Sequence, residues 1–428
     1  MLTSSTKHIT KNLMKDKIIG FLKWTEKYTK TDMVYFVRSN LWINIGRASS
    51  VLNGLILSIV YANILTKEDY GLYTFALAFI GFFSMAQTTA LGSGISKSIS
   101  RGNDGVIYEG LKTIYPWSLL GGLSLGIVSI YYILHNNIDL GICFLVAAIT
   151  LPISIRNSVA KSYFNAKGDF AFMSRFNLMR TPFITIALII TAITSRSAII
   201  VVITSIITNL ILGSFLYHKM KKNIAQIGAN EKEPFAKKYA FHSGILSMFG
   251  YLSEQIDDLL LWKFVGAAPV AIYTYAIAPV RELKNLIENQ STIAIPKFAQ
   301  KDFSEVKSHV FFRVRQMYFV AVPIIILYIL SAPLIFKYLF PLYTDAVGLS
   351  QIASLTLLSS PRKLLTAAIT AHQKIKETYI VTVFPTMTRI ILAIALVPMY
   401  GIEGAVIALL ASECIDFITL GILIRNSK

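Results

Sequence analysis

Long apolar runs separated by short polar segments make up most of the chain after about residue 35. A helix needs about 20 mainly apolar residues to cross roughly 30 Å of hydrocarbon. Runs of that length lie near residues 35–60, 71–94, 114–134, 138–160, 176–195, 197–217, 242–262, 270–295, 316–336, 342–361, 378–397 and 402–424. The pattern therefore predicts an all-α polytopic membrane protein with about twelve transmembrane helices.

The composition supports this prediction, since 54% of the residues are hydrophobic and only 15% are charged. A typical soluble domain has about 25% charged residues. The two cysteines, Cys143 and Cys414, lie inside apolar runs, and their spacing indicates neither a metal site nor a redox pair. We therefore expect both to be core or lipid-facing residues.

Lysine and arginine are distributed unequally between alternate polar segments. Of the 41 basic residues, 28 lie in segments on the side of the N-terminus. The opposite side holds four, namely Lys67, Arg196, Lys263 and Lys337. Cytoplasmic loops carry such an excess, so both termini are predicted to be cytoplasmic. The basic residues that give the net charge of +18 form no patch with aromatic residues between them, which argues against a nucleic-acid partner.

The first 33 residues form a basic arm before the first span. Apolar residues such as Ile9, Leu13 and Phe21 recur in it at helical spacing, with lysines between them. This pattern favours an amphipathic helix over 1–33 that lies on the anionic cytoplasmic leaflet. A disordered basic tail is the alternative.

An internal repeat relates the two halves of the chain. The segment Tyr70–Ala78 aligns with Val270–Ala278 at an offset of 200, and Ile95–Lys97 aligns with Ile295–Lys297 at the same offset. The repeat predicts two six-helix lobes in the same orientation around a central cavity. The predicted organisation is an N-lobe at 35–217, a cytoplasmic linker at 218–241 and a C-lobe at 242–424.

Several ionisable residues lie inside the predicted spans, where a charge is costly unless it faces a cavity or a partner. Arginine binds phosphate oxygens in a bidentate manner, so the embedded cations suggest an anionic substrate. The candidate substrate-binding cations are Arg47, Arg156, Arg180, Arg281, Lys284 and Arg389. Interlobe ion pairs, or side chains that reach the membrane surface, are the structural alternatives.

The predicted seventh span carries an acidic cluster of Glu254, Asp257 and Asp258. These carboxylates are candidates for a coupling role, with Na⁺ or H⁺ as the ion. They could also close a gate by pairing with arginines across the cavity.

Signals of catalysis are absent from the sequence. It contains no G-x-x-x-x-G-K-[ST] motif, and its six histidines have no metal-ligand spacing. A membrane-embedded polymerase or ligase would be expected to have a large periplasmic loop, and the loops predicted on that side are short. We expect no enzymatic activity, no metal and no bound cofactor.

Short motifs resemble those of polysaccharide flippases. The segment Ala62-Asn-Ile-Leu-Thr-Lys-Glu-Asp-Tyr-Gly-Leu-Tyr73 resembles the family pattern a-x-x-L-x-x-x-x-(Y/F)-G-x-(Y/F), and Leu91–Lys97 resembles its small-residue closing stretch. Tyr400-Gly-Ile-Glu-Gly-Ala-Val-Ile-Ala408 resembles the family's entry to the last span, and Ala371–Glu377 its polar turn before the eleventh.

This resemblance extends over essentially the whole chain and indicates a Wzx-type O-antigen flippase of the multidrug/oligosaccharidyl-lipid/polysaccharide (MOP) exporter superfamily. It implies transport of undecaprenyl-pyrophosphate-linked oligosaccharide from the cytoplasmic to the periplasmic leaflet by alternating access. It also implies the bacterial inner membrane, a role in lipopolysaccharide biosynthesis, and contact with membrane lipids and the polysaccharide polymerase machinery. A cation-coupled multidrug exporter of the same superfamily is the alternative.

Overall fold

A computed structural model describes residues 33–99, 104–227, 237–298, 303–371 and 375–426. The helices of the first half are α1 (Met33–Ile64), α2 (Lys67–Ile99), α3 (Val106–Leu134), α4 (Ile138–Ala166), α5 (Phe170–Ser195) and α6 (Ala198–Ile227). Those of the second half are α7 (Lys237–Phe264), α8 (Ala267–Phe298), α9 (Phe303–Leu339), α10 (Val347–Ala353), α11 (Arg362–Ala371) and α12 (Ile375–Asn426). Two 3₁₀ segments, Pro341–Ala346 and Ser354–Ser359, flank α10. These described ranges contain no strand, which confirms the all-α prediction.

Seven helices in the described ranges are long and apolar enough to cross a membrane. The segments that qualify are Asn44–Ile64, Val106–Leu134, Ile138–Ala166, Phe170–Ser195, Ala198–Ile224, Glu305–Leu339 and Val383–Arg425. The polytopic prediction is thereby confirmed, while the count of twelve spans stays a prediction. The predicted arm at 1–33 lies outside the described residues, apart from Met33.

The region predicted as spans ten to twelve departs from simple helices. The predicted span at 342–361 is built from the two 3₁₀ segments and α10 instead of one continuous helix. Helix α12 then contains both of the last two predicted spans and bends at Gly401, whose φ of 58° and ψ of −130° are open to glycine without strain. A Cβ on Gly404 would lie 2.7 Å from the carbonyl carbon of Leu396, so the chain on the two sides of the bend is close.

The repeat is visible in the helix boundaries. Helices α1 and α7 end at Ile64 and Phe264, and α2 and α8 begin at Lys67 and Ala267, again 200 residues apart. Following this repeat, we call helices α1–α6 the N-lobe and helices α7–α12 the C-lobe. Helix α6 continues to Ile227 and α7 begins at Lys237, so helical structure extends into the segment predicted as the linker.

Each lobe has its own apolar core. One N-lobe core surrounds Phe164 and Ile155, and a C-lobe core surrounds Leu357 and Val397. Another cluster combines residues of both lobes, including Tyr61 and Tyr275. This shared cluster lies at one end of the bundle and positions the two lobes relative to each other.

Candidate functional site

The end of the bundle that carries the α1–α2 and α7–α8 turns, here called the hairpin end, is where the lobes meet. Five tyrosines from both lobes pack together there and form a tyrosine cluster, consisting of Tyr61, Tyr70, Tyr73, Tyr275 and Tyr343. The ring centroids of Tyr70 and Tyr275 are 4.6 Å apart, and those of Tyr275 and Tyr343 are 4.0 Å apart. The Tyr275 hydroxyl donates a hydrogen bond of 2.8 Å to the Ser58 carbonyl oxygen across the lobe interface.

Further contacts close the hairpin end around this cluster. Lys67 Nζ of the N-lobe lies 2.7 Å from Asp345 Oδ2 of the C-lobe. The rings of Phe75 and Trp262 stack across the interface at 4.4 Å. A Cβ on Gly71 would lie only 2.5 Å from the carbonyl carbon of Ala267, so α2 and the start of α8 are in backbone contact. In this conformation the lobes are therefore closed at the hairpin end.

A polar cavity of about 660 Å³ lies within the C-lobe, between α7, α8, α11 and α12. Both arms of α12 line it, the first arm before Gly401 and the second arm after it. Its α8 residues begin at Ile277 and continue to Glu288, which places the cavity at mid-depth and beyond, roughly 15 to 30 Å from the hairpin end. Five basic side chains line it, namely Arg281, Lys284, Arg362, Lys363 and Arg389. Four carboxylates line it as well, namely Glu254, Glu288, Glu413 and Asp416.

Ion pairs within the C-lobe neutralise most of these charges. Lys284 pairs with Glu413, whose other carboxylate oxygen accepts a hydrogen bond from Ser359. Arg362 pairs with Asp416. These contacts connect α8 and α11 to the second arm of α12.

A further pair joins α7 to the first arm of α12. Arg389 and the Tyr273 hydroxyl both donate to Asp257 Oδ2, the tyrosine at 2.6 Å. Asp257 is 1% exposed, so this carboxylate is buried against its cation. The structure thus places a predicted coupling residue in an ion pair with a predicted substrate-binding cation, inside one lobe instead of across the cavity.

The remaining predicted residues of the C-lobe differ in their surroundings. Arg281 and Glu254 are exposed in the cavity wall, and neither forms an ion pair with another described residue. Asp258 is 7% exposed, and its Oδ1 atom accepts no hydrogen bond from the described part of the chain. Among the described residues, no three His, Cys, Asp or Glu side chains come together as a metal site.

Two of the three predicted cations of the N-lobe have neutral partners, and the third is exposed. Arg180 donates a hydrogen bond to the Asn209 side chain on α6. The Arg156 guanidinium lies 5.5 Å from the centre of the Tyr217 ring, also on α6. Arg47 is exposed and lies in the first turn of the apolar segment that begins at Asn44. Within the described ranges none of these three arginines pairs with a carboxylate.

Some members of these groups were not predicted from the sequence. Glu413 and Asp416, three positions apart in an apolar run, supply the partners of Lys284 and Arg362. Their presence inside a predicted span is itself a signal of function. Lys161 directly follows the predicted fourth span at 138–160, whereas α4 continues to Ala166 and brings this lysine close enough to Arg180 for electrostatic repulsion.

Known structures share this architecture. The chain is similar to the lipid II flippase MurJ in an inward closed conformation, with a TM-score of 0.71 and 16% identity over 90% of this chain and 87% of that one. A multidrug resistance MATE transporter of the MOP superfamily in its inward-facing conformation gives a TM-score of 0.63 and 14% identity over 90% and 97%. An outward-facing MATE transporter of the same superfamily gives a TM-score of 0.57 and 16% identity, over 91% of this chain and 94% of that one. At these identities the similarity establishes the fold.

At the level of sequence, no curated protein matches the chain. A family model for polysaccharide biosynthesis proteins matches residues 60–342, which is more than half of the chain. The match includes the whole first motif, from Ala62 to Tyr73, and most of the tyrosine cluster. The structural matches confirm the predicted two-lobed helical fold. The chain therefore belongs to the polysaccharide biosynthesis protein family.

Proposed function

We propose that this protein is a flippase of the bacterial inner membrane. Its cargo would be undecaprenyl-pyrophosphate-linked oligosaccharide, such as an O-antigen repeat unit, moved from the cytoplasmic to the periplasmic leaflet by alternating access. The family membership and the flippase fold support a transporter of lipid-linked sugars. In this role the protein would supply cargo to a polysaccharide polymerase on the periplasmic side.

The observation that carries the proposal is the difference in charge between the lobes. In the C-lobe cavity, four of the five cations are paired with carboxylates. In the N-lobe, Arg156 and Arg180 contact a ring and an amide instead, so their charges are available. An uncompensated intramembrane cation needs an anion, and guanidinium groups suit pyrophosphate oxygens. We assign the pyrophosphate to Arg156 and Arg180, with Arg47 at the entrance and Arg281 opposite.

The conformation fits the first step of such a cycle. If both termini are cytoplasmic, as the distribution of basic residues predicts, the closed hairpin end faces the periplasm. The charged cavity then lies toward the cytoplasmic side, where the cargo is made. Since Asp257 is already bound by Arg389, Glu254 and Asp258 are the carboxylates left for coupling to Na⁺ or H⁺.

A cation-coupled multidrug exporter is the second candidate, because MATE transporters share the fold. A cationic drug would require an unpaired carboxylate in the cavity, and Glu254 meets that requirement among the described residues. Loss of Glu254 would abolish drug resistance in that case, whereas loss of the N-lobe arginines would have little effect.

The test is made in the source bacterium with its own gene deleted. Complementation with Arg180→Gln should abolish surface polysaccharide, while Arg180→Lys, which keeps the charge, should restore part of it. Arg47→Ala should behave like Arg180→Gln. The control is Arg313→Ala, which removes an exposed arginine from α9. A wild-type level of surface polysaccharide in the Arg180→Gln strain, at normal expression of the protein, would refute the assignment of the pyrophosphate to the N-lobe arginines. Drug sensitivity of the deletion strain would support the multidrug exporter.

A further inference from the structure

The C-lobe cavity is strongly polar but close to neutral. The ion pairs of Lys284, Arg362, Lys363 and Arg389 compensate four of its cations, the Lys363–Glu288 pair at 3.9 Å. The exposed Arg281 and Glu254 add one charge of each sign. A cavity with this balance offers a bound anion or cation little net attraction, although its walls are rich in donors and acceptors.

Its walls also hold more hydrogen-bonding capacity than the ion pairs use. Asp416 Oδ1, Glu288 Oε1 and Arg389 Nε are buried without a hydrogen-bond partner in the described structure. Leaving such buried polar atoms unpaired is unfavourable. A ligand with several hydroxyl groups could supply partners after small side-chain adjustments. The volume of about 660 Å³ lies within the range of about 300–1,000 Å³ that is usual for ligand sites.

We propose that the C-lobe cavity binds the uncharged sugars of the cargo and selects against sugars with a charge of their own. This assignment rests on the proposed flippase function and divides the cargo between the lobes. The N-lobe arginines bind the anionic pyrophosphate, and the paired charges of the C-lobe donate to and accept from neutral hydroxyl and acetamido groups. With Arg281 engaged by the pyrophosphate, a carboxylate on the sugar would meet Glu254, Glu413 or Asp416, or would have to displace an existing ion pair.

The division can be tested by direct binding to the purified full-length protein. Three farnesyl diphosphate diesters serve as probes, and their second substituent is methyl, N-acetylglucosaminyl or glucuronosyl. The diphosphate carries the same charge in all three, so the sugar alone differs. We expect the N-acetylglucosaminyl probe to bind about tenfold more tightly than the methyl probe. The glucuronosyl probe should show no gain.

Two adjacent residues of α8 provide a matched pair of variants. Asn285 is exposed in the cavity wall, so Asn285→Trp fills the cavity without removing a charge. Leu286 is 67% exposed and does not line the cavity, so Leu286→Trp is the control. Asn285→Trp should remove the gain in binding that the N-acetylglucosaminyl probe has over the methyl probe, whereas the control should keep that gain. Val381→Trp, from the opposite wall, should repeat the effect if Asn285→Trp is poorly folded.

The possible failures point to different conclusions. If the wild-type protein binds none of the probes, the flippase function itself fails, and the sugar site with it. If the methyl probe binds and Arg180→Gln weakens it, the pyrophosphate site stands. The sugar site is then overturned by the absence of any gain from N-acetylglucosamine, by an equal gain from glucuronate, or by a gain that persists in both cavity-filling variants.

Discussion

Gly71→Ala should open the hairpin end, because Gly71 is where the lobes approach at backbone level. The added Cβ would lie 2.5 Å from the carbonyl carbon of Ala267. Carbon atoms in contact are about 3.5–4.0 Å apart, so α2 and α8 would have to separate by about 1 Å or more. Overpacking of this kind typically costs about 1–3 kcal/mol. If opening relieves the clash, the equilibrium shifts toward the open state by about 5- to 150-fold.

Cysteine accessibility measures this shift directly. In a background with Cys143 and Cys414 replaced by alanine, Ala62→Cys introduces a thiol beside the tyrosine cluster, at a position that is 0% exposed. Purified protein is reacted with a maleimide, and the labelling rate should rise at least fivefold when Gly71→Ala is added. Gly126→Ala is the control, since its Cβ would meet nothing within 4 Å. An unchanged labelling rate in stable, folded Gly71→Ala protein would refute the proposed role of this contact.

Two further predictions concern the C-lobe. Asp416→Asn removes the negative charge that pairs with Arg362 and should lower the free energy of unfolding, measured by thermal melting, by about 1–3 kcal/mol. Adding Arg362→Gln should recover most of this loss, and additive losses would show that the two residues are not coupled. Gly401→Ala places a side chain on a residue with a φ of 58° and should destabilise the protein by about 1–3 kcal/mol, measured by thermal melting. Gly421→Ala on the same helix is the control and should be tolerated, so equal melting temperatures of the two variants would contradict the strain argument.

The family motifs could be recognised from the sequence, but only the fold shows what they do. In the first motif, Ala62, Leu65 and Tyr70 are all buried in the cluster that joins the lobes, and Gly71 permits the contact with α8. In the motif near the end of the chain, Gly401 provides the bend of α12. Each motif therefore specifies a close approach between segments, which a pattern along one segment does not describe.

The length of the apolar runs predicted the helical fold. It was least informative for the predicted span at 342–361, where the backbone does not form one continuous helix. The predicted span at 342–361 contains many hydroxyl side chains, and Ser354, Thr356 and Ser359 each donate to a carbonyl three residues earlier. These bonds accompany 3₁₀ turns in place of a continuous helix. A hydropathy window detects that the segment is apolar enough, but it carries no information on this local geometry.

The ion-pair partners of the embedded charges could not be predicted from the sequence, for a different reason. Periodicity places Lys284 and Arg281 on α8, yet Lys284 pairs with Glu413, 129 positions away, and Arg389 pairs with Asp257, 132 positions away. Pairing depends on how the helices pack, and the repeat alone does not give that packing. The sequence therefore identified several residues of the cavity without showing which of their charges were already neutralised.

The positions of the ion pairs explain how the two lobes can separate without leaving a buried charge unpaired. The buried ion pairs Lys284–Glu413 and Arg389–Asp257 lie inside one lobe, so they survive when the lobes move apart. Breaking a buried pair would cost about 3–5 kcal/mol, which is too much to repeat in every transport cycle without a strong driving force. The Lys67–Asp345 pair does cross the interface, but its side chains are 30% and 51% exposed. Exposed pairs contribute at most about 1 kcal/mol. The cost of opening the hairpin end therefore lies mainly in separating the aromatic rings and apolar side chains that the lobes share there.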